Sequence, residues 1–253
     1  MRRWGVSFFL GMALVPGLFA QPEVLRVGWD DFEPYQYDVN GQPGGLDIAM
    51  VQAVGQKMGW ILEFHKMPWV RQLASLREGS LDLVFDATPT AERETFGSFS
   101  VPYREERAAL MALVIPHPRP TTLQEFLDRG HVVGIERGSD YGDDWARLMQ
   151  VPRYRSAVDE GTDLILNLKK LVGRRIDALI DDPLVAQTVA RNQGLPRPIP
   201  LLTVSVNRVS LFLSQAWLAS HPDQLARLNG TIDELVRSGS FRALGERWGV
   251  EEN

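Results

Sequence analysis

The sequence of 253 residues contains no cysteine and only four histidines. The absence of cysteine excludes disulfide bonds, thiol catalysis and cysteine-ligated metals. It also excludes a lipid anchor attached through a cysteine. The histidines are scattered, and the motifs G-x-S-x-G, H-E-x-x-H and the P-loop are all missing. We therefore expect no cofactor, no metal and no catalytic residue of these common types.

A calcium loop and a basic surface are also missing. Three pairs of adjacent aspartates occur, but none has the alternating spacing of a calcium loop. Lysine and arginine number 27 against 32 aspartates and glutamates, a formal net charge of −5. This balance gives no electrostatic basis for nucleic-acid binding, so we expect no nucleic-acid partner.

Long apolar runs are absent except at the start of the chain. Arg2 and Arg3 precede an apolar run from Trp4 to Phe19, and Ala20 follows it, which is typical of a secretory signal peptide. The alternative is a membrane anchor, but glycines and a proline interrupt a run that is short for a spanning helix. We expect residues 1–20 to be a signal peptide, and the remaining chain to carry a formal charge of −7 from 25 basic and 32 acidic residues.

The rest of the chain alternates between short apolar strands and amphipathic helices. Strands are predicted near 24–28, 61–64 and 83–85, with helices at 47–58, capped by Asp47, and at 69–78 between them. A further helix is predicted at 211–218. A second pattern of the same kind begins near residue 122. Such alternation predicts an α/β fold with a parallel sheet, and ligand sites at the carboxyl ends of the strands.

A polar loop follows the predicted strand at 83–85. It contains Asp86, Thr88 and Thr90, and it leads to Arg93 at the start of a short helix. An arginine there, beside free backbone N–H groups and threonine hydroxyls, is well suited to bind a carboxylate bidentately. The alternative is that Arg93 pairs with a neighbouring glutamate on the surface.

Thr90, Arg93 and the segment Phe99–Tyr103 resemble the T-x-x-R…F-S-x-P-Y signature of the family 3 extracellular solute-binding proteins. These are periplasmic amino-acid-binding proteins of ABC transporters, and the resemblance covers nearly the whole chain after residue 20. It implies a type II periplasmic binding protein fold with two lobes, each a mostly parallel sheet flanked by helices. The expected parts are 21–113 for the first part of lobe 1, 114–203 for lobe 2, and 204–253 for the return to lobe 1. The hinge would be two crossings near 113–116 and 204–207.

The resemblance also implies which residues contact the ligand's backbone groups. Arg93 and Thr88 would bind its carboxylate, and Asp182, the last aspartate of an x-D-A-x-x-x-D segment, its ammonium group. Gly138 and Ser139 match a G-S-x segment that approaches the carboxylate from the second lobe. For Ser139, a helix N-cap is the alternative.

Aromatic and acidic residues would surround the ligand's side chain. Phe32 and Trp69 would sandwich it, and Tyr35 belongs to the same aromatic group, although ordinary packing is the alternative for the aromatics. Either Asp30 or Asp31 would face its distal end, because the loop is one residue shorter than in relatives.

The remaining candidate residues bear on the charge of the ligand. Asp86 and Asp140 add carboxylates to a site whose one evident cation is Arg93, and unpaired buried carboxylates are costly. This surplus favours a basic ligand, although Asp140 as a helix cap and Asp86 bonded within its own loop would remove it.

Taken together, the resemblance implies a periplasmic, monomeric solute-binding protein without a lipid anchor. It would capture a small zwitterion such as an amino acid and deliver it to an ABC permease. One alternative is a periplasmic dehydratase of the cyclohexadienyl or arogenate type on the same fold. Those enzymes carry a glutamate shortly after the aspartate that Asp182 matches, where this chain has Leu184 and Val185, so this alternative is weaker. The other alternative is a ligand sensor module that acts with a separate partner.

Overall fold

The computed structural model describes residues 22–248 and residue 250. The predicted signal peptide lies outside that part of the chain. Within it, none of the helices combines the length and the apolar character that a bilayer crossing requires.

Ten strands and ten α-helices alternate through the described residues. The strands are β1 Glu23–Trp29, β2 Tyr37–Val39, β3 Gln42–Gly44, β4 Trp60–Lys66, β5 Leu83–Ala87, β6 Gly97–Ala112, β7 Val133–Glu136, β8 Val158–Gly161, β9 Ala178–Asp181 and β10 Ile199–Ser214. The helices are α1 Leu46–Met58, α2 Trp69–Glu78, α3 Leu123–Asp128, α4 Gly142–Leu148, α5 Pro152–Arg155, α6 Leu164–Val172, α7 Pro183–Asn192, α8 Gln215–Ser220, α9 Gln224–Arg237 and α10 Ser240–Trp248. A 3₁₀ turn spans Arg93–Thr95.

Eight strands form one sheet in the order β4-β1-β5-β10-β6-β9-β7-β8. Strand β1 pairs in parallel with β4 and β5 at one end, and β7 pairs in parallel with β8 and β9 at the other. The two 16-residue strands β6 and β10 run antiparallel to each other and join the two ends. This arrangement confirms the predicted α/β fold with two lobes.

The position of the hinge within β6 and β10 stays a prediction. Strand β10 pairs with β5 through residues 210–213, and β6 pairs with β9 through residues 109–111. Between these points, residues 104–108 of β6 pair with β10 alone. Strand pairing therefore favours a crossing earlier in β6 than the boundary at residue 113, whereas the boundary at 203 lies close to the corresponding part of β10.

Two predicted helix starts are wrong. The helix predicted from Leu211 begins only at Gln215, because β10 continues to Ser214, whose hydroxyl accepts a hydrogen bond from the backbone N–H of Trp217. Residues 209–214 are all buried and mostly apolar, so their periodicity does not separate strand from helix. The other predicted start, with Asp47 as the N-cap of α1, fails because the helix begins after Gly45 and Asp47 is fully buried inside it.

Gly45 shows why the chain enters α1 as it does. Its φ of 117° lies in the region that favours glycine, and a Cβ atom there would lie 2.3 Å from the backbone oxygen of Tyr35. This close approach packs the turn after β1 against the start of α1, and it places that turn at the edge of the sheet where the other polar loops gather.

Candidate functional site

A cleft with a free volume of about 90 Å³ opens between the two ends of the sheet. It lies where strands of both lobes end, as expected for parallel sheets: Asp30 follows β1, Asp86 is the second-to-last residue of β5, Glu136 ends β7 and Asp181 ends β9. Its lining residues are Asp30, Asp31, Phe32, Gln36, Trp69, Gln72, Asp86, Thr88, Arg93, Glu106, Ala108, Glu136, Ser139, Asp140, Tyr141, Asp181 and Asp182. Ten of the eleven predicted site residues are among them, and Tyr35 is the exception.

Arg93 is the buried cation of this cleft, with 6% of its surface exposed. Its Nη1 donates to the backbone oxygen of Thr88 at 2.7 Å, and its Nη2 donates to that of Gly138 at 2.8 Å. The alternative of surface pairing is not observed, because Glu92 pairs with Arg77. A guanidinium has five N–H donors, so these two bonds leave three for a ligand.

The Gly138 oxygen links the two lobes across the cleft. It accepts from Arg93 and also from the indole Nε1 of Trp69, at 3.1 Å, while the guanidinium lies 5.2 Å from the indole ring. Arg93 and Trp69 belong to the first half of the sheet, and Gly138 follows β7 in the second. The structure is therefore a closed form, in which protein contacts already bridge the two lobes.

Ser139 and Asp140 line the cleft from the second lobe and do not cap a helix. The next helix, α4, starts at Gly142 after Tyr141 and has no side-chain cap. The capping alternative is thus wrong for both residues. Their positions beside Gly138 leave the Ser139 hydroxyl and the Asp140 carboxylate on the wall of the cleft.

Asp182 and its neighbour Asp181 are both buried at the start of α7. One oxygen of Asp182 accepts from the backbone N–H groups of Leu184, at 2.7 Å, and Val185, at 3.1 Å. An oxygen of Asp181 accepts from the backbone N–H of Asp182 at 2.8 Å. Burial raises the pKa of Asp182, and it raises the pKa of Asp181 to about 8. Asp182 therefore combines a helix cap with one oxygen that is left for the cleft.

The structure distinguishes the two candidate acids Asp30 and Asp31 by their surroundings. Asp31 is exposed and pairs with Lys66 at 2.6 Å, whereas Asp30 is half-buried and its backbone N–H donates to Gln36. Burial raises the pKa of Asp30 to about 6. Of the two, Asp30 has the environment of a ligand-facing acid.

Asp86 is held by a cation that the sequence analysis missed. It has a φ of 57°, and its carboxylate accepts from Nη2 of Arg104 at 2.6 Å. The same guanidinium donates from Nε and Nη2 to the two oxygens of Asp47, both at 2.7 Å. Burial raises the pKa of Asp86 to about 7, with Arg104 acting in the opposite direction. The sequence predicted Arg93 as the one evident cation of the site, but Arg104 is a second cation near the cleft.

Glu106 and Glu136 are cleft acids that the sequence analysis also missed. Burial raises the pKa of each well above its ordinary value, and nearby carboxylates act in the same direction. Glu136 ends a strand of the parallel sheet, so the rule that located the other acids also applies to it. Glu106 lies within the charged segment at 104–107, which reads as a solvent-exposed stretch in the sequence.

Of the three aromatic residues predicted for the site, two line the cleft and one lines a neighbouring cavity. Phe32 and Trp69 line the cleft, whereas Tyr35 lies behind Phe32, with ring centroids 5.9 Å apart, and under Arg104, whose guanidinium carbon is 4.1 Å from its ring. Tyr35 lines a neighbouring cavity instead. Its predicted contact with the cleft ligand has no support in this geometry.

Two sheet halves joined by long strands, with polar side chains converging between them, define a two-lobed ligand-binding protein. The model for the bacterial extracellular solute-binding proteins, family 3, matches residues 25–251. The chain belongs to that family.

Curated relatives and solved structures agree with this assignment. The arginine-binding extracellular protein ArtP of Bacillus subtilis is 24% identical over 86% of this chain and 82% of its own length. The L-cystine-binding protein TcyJ of Escherichia coli K12 is 25% identical over 86% of this chain and 79% of its own. A histidine kinase sensor domain with similarity to periplasmic binding proteins has a TM-score of 0.77 at 21% identity, covering 92% of this chain and 98% of that domain. The last likeness shows the fold alone.

Proposed function

We propose that this protein captures a basic amino acid in the cleft and delivers it to an ABC permease. The proposed setting is the periplasm, where it would act as a monomer without a lipid anchor. It acts by binding and closing, and the cleft acids serve as ligand contacts without catalysing a reaction.

The observation that carries the proposal is the excess of acids over bases in the cleft. Arg104 is already bonded to two carboxylates, so Arg93 is the one cation among the described residues that line the cleft. The acids of the lining are Asp30, Asp31, Asp86, Glu106, Glu136, Asp140, Asp181 and Asp182. Burial raises the pKa of Asp30, Glu136 and Asp181 among them, and a bound cation would supply the charge partner that the protein lacks.

The geometry supports a definite placement of an α-amino acid. Its carboxylate would take the remaining donors of Arg93 with the Thr88 and Ser139 hydroxyls, and its ammonium group would bind Asp182. The side chain would extend past Phe32 and Trp69 toward a distal acid.

Asp30 and Glu136 are the proposed partners of the distal cation. Both are cleft acids whose pKa is raised because burial disfavours their charged forms. A guanidinium or a second ammonium group there would favour the ionised carboxylates, whereas a ligand carboxylate would add a like charge. The names of the curated relatives agree with an amino-acid ligand, and that of ArtP agrees with a basic one.

Calorimetric titration of the purified protein tests this proposal. The panel would be arginine, lysine, ornithine, putrescine, glutamine, cystine and glutamate at one pH, with prephenate added to test for dehydration as well as binding. We expect the basic amino acids to bind more tightly than glutamine, and glutamate to bind weakly. A preference for glutamate over arginine would contradict the proposed ligand class, and turnover of prephenate would contradict a purely binding role.

A further inference from the structure

A second, larger cavity lies beside the cleft, and we call it the rear cavity. Its volume is about 680 Å³, which is within the range of roughly 300–1,000 Å³ that small-molecule sites occupy. The two cavities share Glu106 and Asp182 as lining residues. The function proposed above uses the cleft only and leaves the rear cavity without a role.

One wall of the rear cavity is apolar and comes from three helices of the first lobe. Leu46 and Met50 lie on α1, Val236 on α9 and Phe241 on α10. The first turn of α7, in the second lobe, contributes Leu184 opposite them. Val236 and Leu184 are 51% and 40% exposed, and an apolar body of about the size of a phenyl ring would remove them from water, which is the main driving force for binding in such cavities.

The other end of the rear cavity is polar and contains unpaired groups. Tyr35 is 5% exposed, and its hydroxyl makes no hydrogen bond within residues 22–248. The Glu106 carboxyl likewise has no hydrogen-bond partner there, and Asp182 uses one oxygen as a helix cap. These oxygens line the cavity and can accept further hydrogen bonds, so this end is suited to a ligand that donates them.

The charged residues at the polar end determine which sign of charge on a ligand is favoured. Arg104 is occupied by Asp47 and Asp86, and at the rim Glu105 lies 3.9 Å from Arg208. Arg107 also lines the cavity but is exposed, where solvent screens its charge. The half-buried Glu106 and the buried Asp182 therefore dominate the polar end.

We propose that the rear cavity is a second binding site, specific for a small organic amine with an apolar body. The ammonium group binds Glu106, Asp182 and the Tyr35 hydroxyl. The apolar body packs against Met50, Val236 and the other side chains of the helical wall.

The test uses 2-phenylethylamine as the probe and 3-phenylpropanoate as its anionic counterpart, both titrated calorimetrically into the protein. The blocking variant is Val236→Trp, which places an indole in the cavity from a residue that is 51% exposed. Its control is Val172→Trp on α6, which is 40% exposed and outside both cavities. A third variant, Trp69→Ala, alters the cleft but not the rear cavity.

We expect the amine to bind, and Val236→Trp to weaken it by about tenfold or more, equivalent to about 1.4 kcal/mol. Val172→Trp and Trp69→Ala should leave its affinity unchanged, and the methyl resonance of Met50 should shift on binding. No binding by the amine, loss of binding in Trp69→Ala with retention in Val236→Trp, or equal binding of the carboxylate would each overturn the proposal. A concentration-dependent dimer that Val236→Trp abolishes would also overturn it, by assigning the cavity to a second copy of the chain.

Discussion

Replacing Arg104 with methionine tests whether the buried charge network holds the structure together. Arg104 lies on β6, donates to both oxygens of Asp47 on α1, and donates to Asp86 on β5. All three side chains are nearly or fully buried. Methionine keeps much of the volume of the arginine stem, so the substitution removes the charge and its hydrogen bonds with little change in packing.

The expected cost follows from the two carboxylates left behind. Removing one partner of a buried ion pair costs about 3–5 kcal/mol, because the other charge stays buried and uncompensated. For a protein of this size, each kcal/mol lowers the melting temperature by roughly 2–4 °C, so we expect a decrease of about 6–20 °C. The loss should be smaller at acidic pH, because protonation of the stranded carboxyls removes their charge.

Urea unfolding followed by tryptophan fluorescence measures the free energy of unfolding without any ligand. The matched control is Arg147→Met, which breaks an exposed pair with Asp144 on α4 and should change stability little. Adding Asp47→Asn and Asp86→Asn to Arg104→Met should recover part of the loss, because no buried charge is then unpaired. If Arg104→Met costs less than about 1 kcal/mol, as an exposed pair does, the network is not structural and this reasoning is refuted.

Three further predictions concern the cleft. Arg93→Ala should weaken amino-acid binding by about 2–5 kcal/mol in calorimetry and leave the fold intact, and unchanged affinity would contradict the carboxylate assignment. The Asp181 carboxyl has a pKa of about 8 in the fold, above its unfolded value, so the folded state holds the proton more tightly. This contribution to stability is complete below about pH 4 and is lost as the pH rises toward 8. Urea titrations at several pH values over that range should show that the free energy of unfolding decreases with pH, and that it decreases less steeply in Asp181→Asn. Arginine binding should release protons near pH 6–7, seen as a buffer-dependent heat in calorimetry, whereas proton uptake would contradict the acidic cleft.

The fold and the position of the cleft were predictable because they depend on local patterns. Alternating strands and helices indicated the parallel sheets, and polar residues such as Asp30 and Asp182 fell at the ends of strands, where sheets of this kind bring loops together. Arg93 was predictable because it belongs to a motif with a fixed spacing. Its present bonds to the Thr88 and Gly138 oxygens were not, since the second partner lies 45 residues away in the other lobe.

The charged residues of β6 could not be placed from the sequence. The four consecutive charged residues at 104–107 predict a solvent-exposed segment, yet Arg104 is buried and Glu106 lines the cleft. Their environment comes from α1, β5 and β10, which reach β6 from distant parts of the chain. The hairpin β2–β3 differs from these residues, because its Asn40-Gly41 turn is a strong local signal from which it is predictable.

The discovery of a second buried arginine does not weaken the expectation of a basic ligand. Arg104 neutralises Asp86, which removes one acid from the comparison, but it is also shared with Asp47. The structure meanwhile adds three acids to the cleft, which outnumber the single acid that Arg104 removes: Glu106, Glu136 and Asp181. Burial raises the pKa of Glu106, Glu136 and Asp181, which favours their protonated forms while the cleft is empty. A cationic ligand is therefore the partner that lets them ionise, and binding, closure and proton release become parts of one equilibrium.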